Sequence, residues 1–253
     1  MKIAYLDCFS GISGDMLLGA LVDLGLPLEQ ISGGLASLGL EGEFRLQASK
    51  AEKCGIYGTK VDVLLAEDGD HGHHGHGHNQ HGHHHHRNLG DIVRMISQSK
   101  LDDWVKQKSI EIFNKIAGAE GKIHNQPPEK VHFHEVGAVD SIVDVVGTVL
   151  SLHLLEIRCI YCSPLPMGRG FVKSAHGLIP LPAPATAELL KGIPVYWVDS
   201  QKELVTPTGA AILAVLAEEF GGFPPVCWEQ IGYGCGSQNR KVPNMLRIFT
   251  GRF

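Results

Sequence analysis

From Asp68 to Arg87 the chain holds only Asp, Gly, His, Asn, Gln and a closing Arg, with no apolar side chain at all. Such a run has nothing to bury against the entropy of ordering it, so it cannot belong to a core. It divides the 253 residues into two flanks that must build the fold between them, and it reads as a mobile, disordered insert, 68–87, within a single domain, 1–253. The flanks have the means, since 43% of the chain is hydrophobic, enough for a sizeable core at this length.

The apolar patterns of the flanks alternate between the two periods of regular structure. Lys2 to Cys8 predicts a short buried strand, Phe9 to Gly14 a glycine loop, and Asp15 to Leu24 a helix. Pro27 opens a second short helix ending near Gly39, and Val61, Val63 and Leu65 alternate as in a half-buried strand. Beyond the insert, helices are expected over Asn88 to Gln98, with Asn88 as cap, over Leu101 to about Ile123, and over Ala138 to Glu156. An extended piece from Ile157 to Ser163 leads into a proline-rich stretch, Pro164 to Pro184. A helix to Lys191, a strand from Pro194 to Val198, a helix after Thr206-Pro207 and two terminal strands complete the chain. Interleaved strands and helices specify an α/β fold with a mixed sheet, although the prolines prevent a strand order from being traced.

Composition narrows the function. Lys and Arg number 22 against 27 Asp and Glu, a net charge of −5 without basic runs, so the electrostatic footprint of a nucleic-acid binder is missing. The uncharged stretch Leu204 to Ala217 contains Pro207 and is too short for a bilayer span of about 20 residues. Asp7 interrupts the only apolar run at the N-terminus, which a secretory leader would not tolerate. A cytoplasmic protein with reduced cysteines at positions 8, 54, 159, 162, 227 and 235 is expected.

The insert carries ten of the 15 histidines: His71, His73, His74, His76, His78, His81, His83, His84, His85 and His86. Neutral imidazole is a good ligand for nickel, zinc or copper. Ligands this redundant capture metal without fixing one geometry, so the tract suits recruitment or storage, with a solvated low-complexity linker as the plain alternative. A fixed site is better sought at His132-Phe133-His134-Glu135, followed by Asp140 and Asp144. There two imidazoles share one face of an extended segment and two carboxylates lie one helical turn apart. An amphipathic helix would carry the same polar stripe of Asp140, Asp144, Thr148 and Ser151. A third candidate is the glycine loop. Ser10, Gly11, Ser13 and Gly14 allow backbone amides to approach an anion at a helix start, and Asp7 and Asp15 could hold a divalent cation or polarise a hydroxyl. A tight strand-to-helix turn would use the same residues. It is not a Walker loop, because no Gly-Lys-Ser/Thr follows.

Weaker features remain. Cys159 and Cys162 form a lone C-x-x-C whose spacing in a strand points the sulfurs to opposite faces, which favours structural use. Gly232, Gly234 and Gly236 alternate without the context of a dinucleotide fingerprint. Thr206 and Pro207 cap a helix beside Thr208, and His176 stands alone ahead of the proline ladder.

Five stretches taken together resemble the LarC nickel-insertion proteins: Asp7 to Met16, the His-rich insert, His132 to Asp144, His176-Gly177 before the prolines, and Glu203 to Ala211. The resemblance implies a nickel chelatase, a lyase-type enzyme that inserts Ni2+ into pyridinium-3,5-bisthiocarboxylic acid mononucleotide. The product is the nickel-pincer cofactor of lactate racemase and related enzymes. It implies consumption of CTP, with Mg2+ or Mn2+, through a C-terminal domain that is absent here, either encoded separately or lost. The expectation for this half is that the tract gathers Ni2+, while His132, His134 and Glu135, with Asp140 and Asp144, form the transfer site. Asp7, Ser10 and Asp15, with Gly11, Ser13, Gly14, His176 and Thr208, would hold the cofactor or its phosphate. The expected partners are the mononucleotide, a separately encoded second half and further copies of the chain, with neither nucleic acid nor membrane. Two rivals stay open: a non-catalytic nickel store or delivery protein, and a phosphate-directed hydrolase built on the Asp7 to Asp15 loop.

Overall fold

The computed structural model describes residues 1–66, 87–131, 133, 138–174 and 177–252. Its centre is a seven-stranded sheet in the order β2-β3-β10-β11-β1-β4-β9. The strands are β1 (Lys2–Asp7), β2 (Phe44–Lys53), β3 (Ile56–Leu65), β4 (Ile157–Cys162), β9 (Ala217–Phe220), β10 (Cys227–Cys235) and β11 (Met245–Arg252). β1, β4 and β9 run parallel, as do β3 and β10, while β11 lies antiparallel to both β1 and β10. The expected mixed α/β sheet is therefore present.

Helix α1 (Gly14–Asp23) rests on β3 and β10, and the alternating glycines explain how it gets so close. A Cβ on Gly234 would lie 1.8 Å from the Met16 carbonyl oxygen, and one on Gly232 would lie 2.3 Å from that of Ala20. From the helix side, a Cβ on Gly19 would fall 2.4 Å from the Thr59 oxygen. The pattern that lacks a nucleotide fingerprint is thus a seat for a helix. Asp23 locks the far end of α1 by accepting from Lys50 Nζ at 2.6 Å, Thr59 Oγ1 at 2.6 Å and the Tyr233 N–H at 2.9 Å.

Helices α2 (Leu28–Leu35), α5 (Val139–Leu154) and α7 (Pro207–Leu216) share this face, and α4 (Asp103–Ile123) packs against α5, α7, α3 (Leu89–Gln98) and α6 (Pro184–Leu189). The two caps read from sequence operate, Asn88 accepting from the Asp91 N–H and Thr206 from that of Gly209, while α4, expected from Leu101, starts instead at a cap not foreseen, Asp102, which accepts from the Trp104 N–H. The opposite face of the sheet is aromatic, with Tyr5 stacked on Phe223 at 4.1 Å and Phe249 edge-on to Phe223 at 4.9 Å. None of the described helices is long and apolar enough to cross a membrane.

Several elements were not foreseen. β2 is a solvated edge strand with no clean alternation of burial, and β9 continues directly from α7. The proline-rich stretch contains β5 (Leu165–Met167), which pairs with β8 (Val195–Trp197), and a hairpin of β6 (Phe171–Ser174) and β7 (Gly177–Pro180). Most of the predicted insert lies outside the described residues, but its two roots meet. The Ala66 N–H donates to the Glu43 carbonyl at 3.0 Å, and Arg87 Nη2 reaches the Glu43 carboxylate at 2.7 and 2.8 Å.

Candidate functional site

At the end of β1 the chain turns through Cys8 to Ser13 into α1, and the turn is fixed through backbone groups. The Gly11 N–H donates to the Cys8 carbonyl at 2.9 Å, and Ile12 N–H to that of Leu204 at 2.9 Å. The Thr206 N–H in turn donates to the Ile12 carbonyl at 3.1 Å. Gly11 has φ +98°, and a Cβ there would lie 1.8 Å from the Leu204 oxygen, so the position admits glycine alone. Gly209 also approaches Ile12 closely, a Cβ falling 2.7 Å from its carbonyl oxygen. The starts of α1 and α7 therefore meet across Ile12. Ser10 and Thr208 are both buried there, the latter with its hydroxyl 3.0 Å from that of Thr206.

α5 joins the same end. A Cβ on Gly14 would meet Asp144 at 2.4 Å from Oδ2 and 2.5 Å from Cβ, and one on Gly147 would meet Leu18 at 3.2 Å. Gly14 precedes Leu18 as Asp144 precedes Gly147, so α1 and α5 run side by side in one direction. The first turn of α1 then carries Asp15 against the first turns of α5, which carry Asp140 and Asp144. Burial pushes the Asp144 carboxyl well above the usual carboxylate range, and the charges of Asp15 and Asp140 push it the same way. Asp15 accepts from the Ser13 hydroxyl and, at 3.4 Å, from Ser237. Asp140 is exposed and accepts from the Ser141 N–H at 2.7 Å. Buried beside these two charges, Asp144 favours its protonated form.

Asp7 goes to a different neighbourhood. Arg247 Nε donates to its Oδ2 at 2.9 Å and Nη2 donates to the same oxygen, while the guanidinium lies 5.3 Å from the Phe9 ring centre and 5.4 Å from that of Phe249. Asp7 is thus committed to an arginine, and it is Asp144 that the fold brings to Asp15. The C-x-x-C separates as its spacing requires. Cys162 is buried with its sulfur 3.6 Å from that of Cys8, whereas Cys159 interacts with Tyr161 beside it. All the described cysteines are free thiols.

His132, His134, Glu135, His176 and the ten tract histidines, His71 to His86, lie outside the described residues. Among the described residues, no three His, Cys, Asp or Glu side chains are grouped closely enough to hold a metal ion. Sequence reasoning missed Ser237 and Arg240. Both sit in the 236–244 loop between β10 and β11, which Lys53 anchors by donating to Asn239 Oδ1 at 2.8 Å. From this loop Arg240 Nη1 donates to the Ser10 carbonyl at 3.1 Å and Nη2 to the Glu203 carbonyl at 3.2 Å, tying the glycine turn to the approach of α7. The available signal was a hairpin connection longer than the usual two to five residues.

The profile of the family described as "Nickel insertion protein" matches residues 4–252. A "Putative nickel insertion protein" of Dictyoglomus thermophilum is 47% identical over 251 residues, covering 99% of this chain and 61% of the relative. Proteins named "Pyridinium-3,5-bisthiocarboxylic acid mononucleotide nickel insertion protein" are similar too. That of Desulfitobacterium hafniense is 50% identical over 99% of this chain and 58% of its own length, and that of Clostridium kluyveri 51% identical over 99% and 62%. The chain thus spans about three-fifths of the length of the curated relatives it matches. No solved structure matches it. The match along nearly the whole chain shows that it belongs to the nickel insertion protein family.

Proposed function

We propose that this chain performs the nickel-handling part of nickel insertion into pyridinium-3,5-bisthiocarboxylic acid mononucleotide, the substrate named for its relatives. The observation that carries the reading is the contact of Gly14 with Asp144, which gathers Asp15, Asp140 and Asp144 at one end of the fold. A cation relieves their mutual repulsion. His132 and His134 directly precede this end of α5 in the chain, and with Glu135 they would complete a mixed imidazole and carboxylate set. Nickel accepts both such ligands and thiocarboxylate sulfur, so passing the ion from histidines to the two sulfurs follows its ligand preferences. The tract from His71 to His86 would raise the local supply of Ni2+. On the other side of the loop, Ser10, Gly11, Ser13 and Thr208 at the convergent starts of α1 and α7 would receive the mononucleotide, since helix N-termini favour anions. CTP with Mg2+ or Mn2+ belongs to the proposal for the whole protein. The glycine loop, Phe9 to Gly14, carries no lysine for a triphosphate.

The test is nickel titration by calorimetry on the 253-residue chain, on a form lacking residues 71–86, and on that form with Asp144→Asn and Asp15→Asn. A site of fixed stoichiometry should survive the deletion and weaken at least tenfold with each carboxylate substitution. If deletion removes all binding, the chain is a nickel store and the transfer site fails.

A further inference from the structure

Arg240 is half-buried, and among the described residues no acid is paired with it. Its described partners are the carbonyls of Ser10 and Glu203 and, at 3.0 Å from Nε, the side-chain oxygen of Gln238. Each of these is neutral. Burial is the one influence that moves its pKa, and it moves it down, as expected where no carboxylate stands near. The half-buried arginines Arg247 and Arg87, by contrast, have Asp7 and Glu43. A guanidinium withdrawn from water without a counter-charge is costly unless an anion completes it. Of its five N–H groups the three described bonds use three, leaving two for a further acceptor. The place is also specific. Arg240 spans the turn at Ser10 and the approach to α7 at Glu203, beside the Ser10 side chain, to whose hydroxyl no hydrogen bond is described.

We propose that Arg240 is the residue that binds the phosphate monoester of the mononucleotide, with the Ser10 hydroxyl as a second donor. The assignment rests on the nickel-insertion reading above and adds to it the group that distinguishes a nucleotide from a nucleoside. In this arrangement Arg240 fixes the phosphate end on the glycine-turn side, and the pyridinium ring with its two sulfurs is left to reach the Asp15, Asp140 and Asp144 end. The guanidinium suits the task because its planar fork matches phosphate oxygens two at a time.

The experiment titrates the 253-residue chain with nicotinic acid mononucleotide, a pyridinium ribonucleotide, and with the corresponding riboside that lacks the phosphate. The native chain should prefer the mononucleotide by about 10- to 100-fold, the worth of charge-assisted hydrogen bonds, and inorganic phosphate should compete. Arg240→Gln should collapse that ratio to near one and abolish competition by phosphate, and Arg240→Lys should restore part of it. A purely structural tie would lower both affinities together and keep their ratio, and that result overturns the proposal. Should the native chain distinguish the two ligands and Arg240→Gln distinguish them equally well, the anchor lies elsewhere while the mononucleotide site stands. Should the native chain bind neither, the reading of the site falls and the anchor with it.

Discussion

Single atoms decide the site at two glycines and one carboxylate. Because an added methyl at Gly14 would overlap not only Asp144 Oδ2 but its Cβ, at 2.5 Å, no rotation of the aspartate relieves the clash. Gly14→Ala should therefore destabilise the fold by about 1–3 kcal/mol, read in urea unfolding, and should weaken nickel binding by parting α1 from α5. Asp23 offers a test by pH. Burial alone would raise its carboxyl, but the hydrogen bonds from Lys50, Thr59 and the Tyr233 N–H outweigh it and hold it below the ordinary value. Its contribution is then complete above about pH 4, where a free aspartate is ionised, and fades as pH falls through the lower value it keeps in the fold. Asp23→Asn should cost about 1–3 kcal/mol at neutral pH, with the difference from the native chain shrinking below pH 4. A constant difference across that range would refute the assignment. At this scale the sequence was partly legible. The Ser10 to Asp15 loop and the Asp140 and Asp144 pair were readable as candidates, beside a tight turn and an amphipathic stripe as the plain alternatives. That Asp15 would find Asp144, and Asp7 find Arg247, depends on contacts across more than a hundred residues that no local pattern encodes.

Among the elements, helices were the more legible, because their caps and 3.6-residue periods are local signals. α3 and α7 begin where Asn88 and Thr206 place their caps, whereas the Asp102 cap of α4 was not read. The strands β2 and β9 were not read, for opposite reasons. β2 carries charges along an exposed edge, while the four residues of β9 follow α7 without a break. The meeting of α1 and β10 gives the sharpest prediction. Gly234→Ala places a methyl 1.8 Å from the Met16 carbonyl, a backbone atom that cannot swing aside, so thermal unfolding should fall by several degrees or folding should fail. Gly221→Ala, where nothing lies within 4 Å, serves as the control and should leave the midpoint nearly unchanged.

Across the whole molecule, the seven strands of the main sheet and the described helices come from the two flanks of the histidine tract. Removing residues 71–86 should accordingly shift the metal-free unfolding midpoint by no more than about 1 °C, measured by circular dichroism; a larger drop would show that the tract contributes to the core. What the whole chain hid from sequence reading was strand order, because β11 enters the middle of the sheet between β1 and β10, a placement set by the long-range pairing of the last strand with the first. The junction at Glu43, where Ala66 and Arg87 converge on one residue, has a consequence for variation. With both stems already clasped, closing the excursion between them scarcely depends on its extent, and doubling the number of residues adds only about 0.6 kcal/mol. Glu43 thus makes a cassette boundary: segments of other lengths or compositions should be exchangeable there while the sheet and its helices go on folding as before.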